Sequence, residues 1–244
     1  MNRDHNTGFT LVELMFSMTF LSLLLVAIAL SVIQISNIYN RGVTYKTVNQ
    51  AGREVSRDMR SAIEAASAFD IDGTSGEPMY RVQANGGNVY GGRLCTGLTT
   101  YIWNTAAGIQ AHANDADAPL NVLDSDPSGL EPLRLIRTYD PRGVYCQDPS
   151  TEIANTDETV ELLDVGDRNL AVHTFSILSG DGAIDISTGQ RLYTISIQIG
   201  TDDTTEVIVS GGSTDDVICD VTKDRDFCAI NRFLFTAKAG DRVQ

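Results

Sequence analysis

A single carboxylate, Glu13, lies at the head of a long uncharged run near the N-terminus. No Asp, Glu, Lys or Arg occurs from Leu14 to Asn40, and the centre of this run is almost purely aliphatic. A helix of this length can cross the ~30 Å hydrocarbon core of a bilayer. Because an unpaired charge in lipid costs about 2.5 kcal/mol or more, Glu13 needs a partner. The chemistry expected of this residue is ion pairing within a membrane.

The residues around Glu13 form a motif. The octet Gly8-Phe9-Thr10-Leu11-Val12-Glu13-Leu14-Met15 follows a short polar leader and continues directly into the apolar run. It resembles the cleavage and methylation motif of the type IV pilin and type II secretion pseudopilin superfamily, in which a Phe follows the cut and a Glu lies four residues beyond it. The alternative is a plain signal-anchor helix.

The resemblance implies a role for each motif residue. A prepilin peptidase/methyltransferase would cut between Gly8 and Phe9 and methylate the new amine of Phe9. The missing Cβ of Gly8 would let the protease approach the backbone closely. Glu13 would pair with the Phe9 amine of a neighbouring pilin or pseudopilin, which relieves the desolvation cost of both charges. The inner-membrane assembly platform and membrane lipid are the other expected partners.

Four cysteines, Cys95, Cys146, Cys219 and Cys228, lie beyond this segment. An even count beyond a membrane span fits disulfides, because compartments outside the cytoplasm permit oxidation. Of the three possible connectivities, the spacing favours Cys219 with Cys228 and Cys95 with Cys146. A zinc site is disfavoured because close pairs such as C-x-x-C are absent.

Acidic turns make calcium a candidate ligand, and no other cofactor is expected. One segment copies the first half of an EF-hand loop, but its twelfth position is Leu135 instead of Glu. A second set lies inside the proposed small disulfide loop. Solvated turns without metal are the alternative for both. The first set is Asp124, Asp126 and Ser128, and the second is Asp220, Asp224 and Asp226.

Enzymatic motifs are absent from the sequence. His5, His112 and His173 have no acid or nucleophile at a spacing that forms a known catalytic motif. The sequence also lacks G-x-S-x-G, a phosphate loop and H-E-x-x-H. We therefore expect that the chain is not an enzyme.

One long helix is predicted to position the motif. No proline occurs before Pro78, and apolar positions recur at helical spacing beyond Ile35. A helix over residues 9–69 would span roughly 90 Å at about 1.5 Å per residue. Gly42 and Gly52 would each weaken it by about 1 kcal/mol relative to alanine. The stripe expected to pack on a domain is Val48, Gly52, Val55, Met59, Ala62, Ala66 and Phe69.

Residues 70–244 are predicted to form a β-rich head. In the clearest strand, Leu192–Ile199, alternation places Tyr193 and three isoleucines on one buried face. The predicted fold is α+β, a long N-terminal helical spine packed on a mainly antiparallel sheet with long loops at 104–132 and 140–168. The other predicted strands are Thr99–Trp103, Leu133–Tyr139, Leu170–Leu178, Glu206–Val209 and Phe233–Ala237. The predicted units are a leader at 1–8, a transmembrane and assembly helix at 9–40, its amphipathic continuation at 41–69 and the head at 70–244.

The net charge of −14 is concentrated in the head, where 27 acidic residues outnumber 12 basic ones. Phosphate recognition needs a basic face, so no nucleic acid is expected as a partner. With the resemblance, this pattern indicates a single-pass protein of the bacterial inner membrane whose acidic head lies outside the cytoplasm.

The size of the head favours a minor pilin or minor pseudopilin, similar to the PilW-like or J-type group. Such a subunit would join, or prime the assembly of, a type IV pilus or a type II secretion pseudopilus, and would lie at its tip. The alternative function is a pilus-displayed adhesin or ligand-binding head. The sequence does not distinguish the two machines.

Overall fold

The fold was analysed in a computed structural model. It describes residues 10–71, 73, 79–85, 88–115, 118, 120, 132–147, 159–163, 169–179, 189–209, 216–223 and 227–240. Three helices and ten strands are assigned within these residues.

Helix α1 (Leu11–Glu64) is 54 residues long and provides the spine of the fold. Its second half carries a buried stripe at helical spacing, which is the pattern of an amphipathic helix that packs along one side only. The stripe covers α1 from residue 44 to residue 63. Its members are Thr44, Val48, Ala51, Gly52, Val55, Met59 and Ile63.

Helix α1 ends at Glu64, five residues before the predicted end. The residues that follow are bound by the head instead. The Tyr193 hydroxyl accepts a hydrogen bond from the Phe69 N–H at 2.7 Å and donates one to the Phe69 carbonyl at 2.6 Å. The two rings also stack, with centroids 4.2 Å apart. These interactions hold Phe69 outside the helix, although it stays in the core, as the stripe predicted.

A five-stranded antiparallel sheet forms one part of the head. Its spatial order follows the chain, from β1 to β5. Helix α2 (Ala106–Asn114) follows β3, and the short helix α3 (Val144–Gln147) follows β4. The strands are β1 (Tyr80–Asn85), β2 (Asn88–Cys95), β3 (Thr99–Asn104), β4 (Leu135–Tyr139) and β5 (Thr159–Glu161).

A three-stranded antiparallel sheet forms the other part of the head, in the order β10-β7-β6. Strand β10 lies along the second half of α1. The strand pair β8–β9 lies beside β10, which β9 contacts. The strands are β6 (Leu170–Ser179), β7 (Arg191–Thr201), β8 (Val207–Val209), β9 (Val217–Cys219) and β10 (Ile230–Ala239), with one 3₁₀ turn at Thr204–Glu206.

One hydrophobic core joins α1 to both sheets, so the fold is α+β as predicted. The face of β7 expected to be buried is fully so, because Tyr193, Ile195, Ile197 and Ile199 have no exposed surface. Each predicted strand is present, within one to three residues at either end. Strands β1, β2, β5 and β9 and helices α2 and α3 were not predicted. Helix α2 lies within the loop expected at 104–132, and α3 and β5 lie within the loop expected at 140–168.

Candidate functional site

Glu13 is bound by the residue that begins α1. Thr10 is the N-cap, and its backbone N–H and its Oγ1 hydroxyl both donate to Glu13 Oε2, at 2.9 and 2.8 Å. In return, Thr10 Oγ1 accepts from the Glu13 N–H at 3.3 Å, which completes a capping box. The carboxylate also lies in the first turn, where the helix dipole favours negative charge. Thr10 therefore satisfies one oxygen of Glu13 within the chain, a contact that the sequence analysis missed.

The first half of α1 packs against nothing within the described residues. Every residue from Thr10 to Tyr39 is exposed, and the large apolar side chains retain 45–75% of their surface. By length and composition this helix can cross a membrane. Such an area of apolar surface is far larger than the patches that water-soluble monomers expose. The surface requires a cover of lipid or of other apolar helices.

Gly8 and Phe9, the expected cleavage residues, lie outside the described residues. The described chain begins at Thr10, directly after them. Their roles therefore remain predictions.

The head is fastened to α1 at a close approach. A Cβ added to Gly52 would overlap the ring of Phe233 on β10, whereas nothing lies within 4 Å of a Cβ added to Gly42. One turn before Gly52, Asn49 Oδ1 accepts a hydrogen bond from Asn231 Nδ2 at 2.6 Å. Glycine at position 52 thus allows the sheet to lie directly on the helix.

An ionic cluster provides a second fastening. Asp58 of α1 accepts a hydrogen bond from the Tyr101 hydroxyl at 2.8 Å and forms an ion pair with Arg137. Tyr101 is fully buried on β3, and burial, followed by the charge of Asp58, raises the pKa of its hydroxyl well above the usual value. The cluster connects α1 to two adjacent strands of the larger sheet. Its members are 43 and 79 residues from Asp58 in sequence, so spacing gave no signal for it.

The four cysteines form two disulfides, Cys95–Cys146 and Cys219–Cys228. These are the pairings that the spacing favoured. The first joins the end of β2 to α3, across 51 residues. The second joins the end of β9 to the residue two before β10, across nine.

Most of the calcium candidates lie outside the described residues: Asp124, Asp126, Ser128, Asp224 and Asp226. Asp220 is described, and its Oδ1 accepts bonds from the N–H and the hydroxyl of Thr222, both at 2.8 Å. This arrangement is a local turn. The described residues contain no group of three or more His, Cys, Asp or Glu side chains placed to hold a metal ion.

The two described histidines bond to backbone carbonyls. His112 Nδ1 lies 2.9 Å from the Ala118 oxygen, and His173 Nε2 lies 2.9 Å from the Thr201 oxygen. Burial lowers the pKa of His173, while Thr201 and the charge of Asp202 act in the opposite direction. His112 lies on helix α2 and His173 on β6, and both rings make structural contacts with the backbone.

Comparison with protein-family models, with curated proteins and with solved structures returned no match for this chain.

Proposed function

We propose that the protein is a minor pilin or minor pseudopilin, a subunit that joins or primes a type IV pilus or a type II secretion pseudopilus. A prepilin peptidase/methyltransferase would process it between Gly8 and Phe9. It would sit in the inner membrane with its head outside the cytoplasm, and would then move to the filament tip. Its partners would be other pilins or pseudopilins and the assembly platform, and no catalytic role or cofactor is proposed.

The exposed first half of α1 carries this proposal. An apolar helical surface running from Leu11 to Tyr39 is suited to two environments in turn, lipid before assembly and a bundle of similar helices afterwards. Both exclude water, so the single charge on this surface, Glu13, would strongly favour an arrangement in which it meets a cation.

The contacts of Glu13 fit that role. Thr10 binds Oε2, and the described residues provide no side-chain cation for Oε1. A carboxylate can accept about four hydrogen bonds, so capacity remains for the amine of a neighbouring subunit. Pairing there would set the stagger between subunits, because other staggers leave two charges unpaired in an apolar environment.

Replacement of Glu13 in the native cells tests the assembly function. We expect Glu13→Leu to reach the membrane at the normal level and to abolish incorporation into filaments, because the apolar helix is kept and only the pairing charge is lost. Val12→Leu, one residue away on the same exposed surface, is the matched control and should assemble normally. Incorporation is measured by immunoblotting sheared filaments against the membrane fraction.

Deletion of the gene separates priming from display. Loss of filaments, or of exoprotein secretion, supports the proposed subunit, and the defective process identifies the machine. Intact filaments that no longer attach to surfaces would support the adhesin instead.

A further inference from the structure

The Cys219–Cys228 disulfide and the neighbouring residues Ile218 and Val221 lie beside α1 where the apolar run ends. A groove of about 290 Å³ separates them from the helix. Arg41 and Tyr45 line its α1 side, and Ile218, Val221 and Ile230 line the opposite side. The second disulfide therefore holds this part of the head next to the first charged residue after the run.

The surface around this groove is apolar and exposed. Val221 retains 64% of its surface and Phe227 46%. Ile208 and Ile218 are directly opposite each other on β8 and β9, share one face of that strand pair, and are about two-fifths exposed. We name the described residues Ile208, Ile218, Val221 and Phe227 the loop patch.

The Arg41 end of the groove lies at the level of the membrane interface when the apolar run spans the bilayer. Arg41 follows the charge-free run immediately, and Tyr45 is about 6 Å further along the helix axis. The 27-residue run is about 40 Å long, so when it is centred on the ~30 Å hydrocarbon core, Arg41 lies about 5 Å beyond the core. The headgroup layer is about 5–8 Å thick on each side, so Arg41 falls within it and Tyr45 lies just outside it. The Arg41 guanidinium, which lies 5.6 Å from the centre of the Tyr45 ring, can reach lipid phosphates from this level.

We propose that the loop patch rests on the lipid bilayer and forms a second membrane contact beside α1. Its occupant is the interfacial layer of the same membrane that holds α1. The proposal depends on the membrane position of α1 but not on the pilin function.

The physical effect is orientation. With α1 as its sole membrane contact, the rigid unit of helix and head can tilt and can rotate about the helix axis, whereas a second contact fixes the face that the head turns towards the bilayer. The disulfide lowers the entropic cost of this contact, because a loop that is already closed loses less conformational freedom on binding. By sequence the loop carries Asp220, Asp224 and Asp226 against Lys223 and Arg225, and Arg41 lines the α1 side of the groove, so the charges nearly balance and apolar contact would provide most of the binding.

Tryptophan fluorescence in nanodiscs tests the proposal. The full chain is reconstituted, one copy per disc, in phosphatidylcholine with bromine near the headgroup end of the acyl chains, because bromine quenches tryptophan at contact range. The test variants are Val221→Trp and Phe227→Trp. The native Trp103 is buried and gives the same background in every variant.

Two further variants bracket the result. Leu24→Trp, in the middle of the apolar run, is measured in a second set of discs with bromine near the ends of the acyl chains, at the bilayer centre, and reports whether α1 is inserted. Leu192→Trp replaces a half-exposed residue of β7 that pairs with Lys238 of β10. Gly240, directly after β10, donates a hydrogen bond to the Ala66 carbonyl, so this end of the sheet lies roughly 30 Å from Tyr45 in the direction of α1. Leu192→Trp is the matched control for an exposed position distant from lipid.

We expect both loop-patch tryptophans to lose much of their emission in brominated discs and to emit at shorter wavelength than Leu192→Trp. If Leu24→Trp is quenched but the loop-patch tryptophans behave like Leu192→Trp, the proposal is wrong and the membrane position of α1 still stands. If Leu24→Trp is not quenched either, α1 is not inserted, and the loop-patch proposal and the membrane position of α1 are both wrong.

Discussion

The ring of Phe233 on β10 lies directly over Gly52 of α1, in the place that a side chain at position 52 would occupy. This relationship makes the helix and the head one packed unit instead of two bodies joined by a linker. It also separates the two glycines of α1: Gly52 lies on the stripe predicted to pack, whereas no atom lies within 4 Å of a Cβ at Gly42.

Alanine at these two positions is therefore expected to act in opposite directions. Gly52→Ala should destabilise the head by about 1–3 kcal/mol through overpacking. Gly42→Ala should leave the head unchanged or stabilise α1 by about 0.5–1 kcal/mol, since alanine is the better helix former. Thermal unfolding of the full chain in detergent, followed by near-ultraviolet circular dichroism, measures both. Equal effects at the two sites would contradict the packing described, and Phe233→Leu should partly rescue Gly52→Ala.

Removal of Asp58 should destabilise the junction by about 1–3 kcal/mol, because Asp58→Ala leaves the buried Tyr101 hydroxyl without its acceptor. Glu54, four residues earlier on α1, is an exposed acid outside the cluster, so Glu54→Ala is the control and should change stability by less than about 0.5 kcal/mol. Adding Tyr101→Phe to Asp58→Ala should cost less than the sum of the single changes. Additive losses would show that the two side chains do not interact.

The stability of the head should fall as the pH is lowered through the ordinary pKa of histidine, 6.5. His173 has a lowered pKa in the folded state, so the unfolded chain takes up its proton first. The stabilising contribution is complete above pH 6.5 and is lost as the pH falls towards the folded pKa. The effect is limited because the Thr201 carbonyl and the charge of Asp202 both favour the protonated ring. Urea unfolding between about pH 7.5 and 5.5 measures it, and His173→Gln should flatten the slope in this window. An unchanged slope would refute the assignment.

The two disulfides should differ in their contribution to stability. Cys95–Cys146 spans 51 residues and Cys219–Cys228 spans nine, so the longer closure removes more entropy from the unfolded chain. Replacement of both cysteines by serine should cost about 4 kcal/mol for the first pair and about 2.5 kcal/mol for the second. Equilibrium unfolding of each double variant tests the order. A larger loss for the second pair would show that the loop patch has a structural role beyond chain closure.

Elements with a strong local pattern could be predicted from the sequence. The alternation of Tyr193, Ile195, Ile197 and Ile199 predicts β7 and its buried face because each position has the same environment along the strand. The apolar run predicts the exposed half of α1 for the same reason. Neither inference needs a residue distant in sequence.

The remaining elements depend on contacts between distant residues. Strands β1 and β2 contain or adjoin glycine pairs that predict turns, yet a Cβ at Gly92 would overlap the indole of Trp103, so glycine is required there by packing. Helix α2 had one local signal, because Thr105 Oγ1 caps it by accepting from the Gly108 N–H at 3.0 Å. Asp58, Tyr101 and Arg137 had none, since no local pattern indicates which strands will lie beside α1.

The intact mass of the chain isolated from the membranes of its native cells tests the central claim most directly. The account predicts a mature chain of residues 9–244 that carries one methyl group on the Phe9 amine. Gly8→Leu should retain the eight leader residues, and Gly42→Ala, with the motif intact, should give the mature mass. A wild-type chain that begins at any residue other than Phe9 would contradict the account.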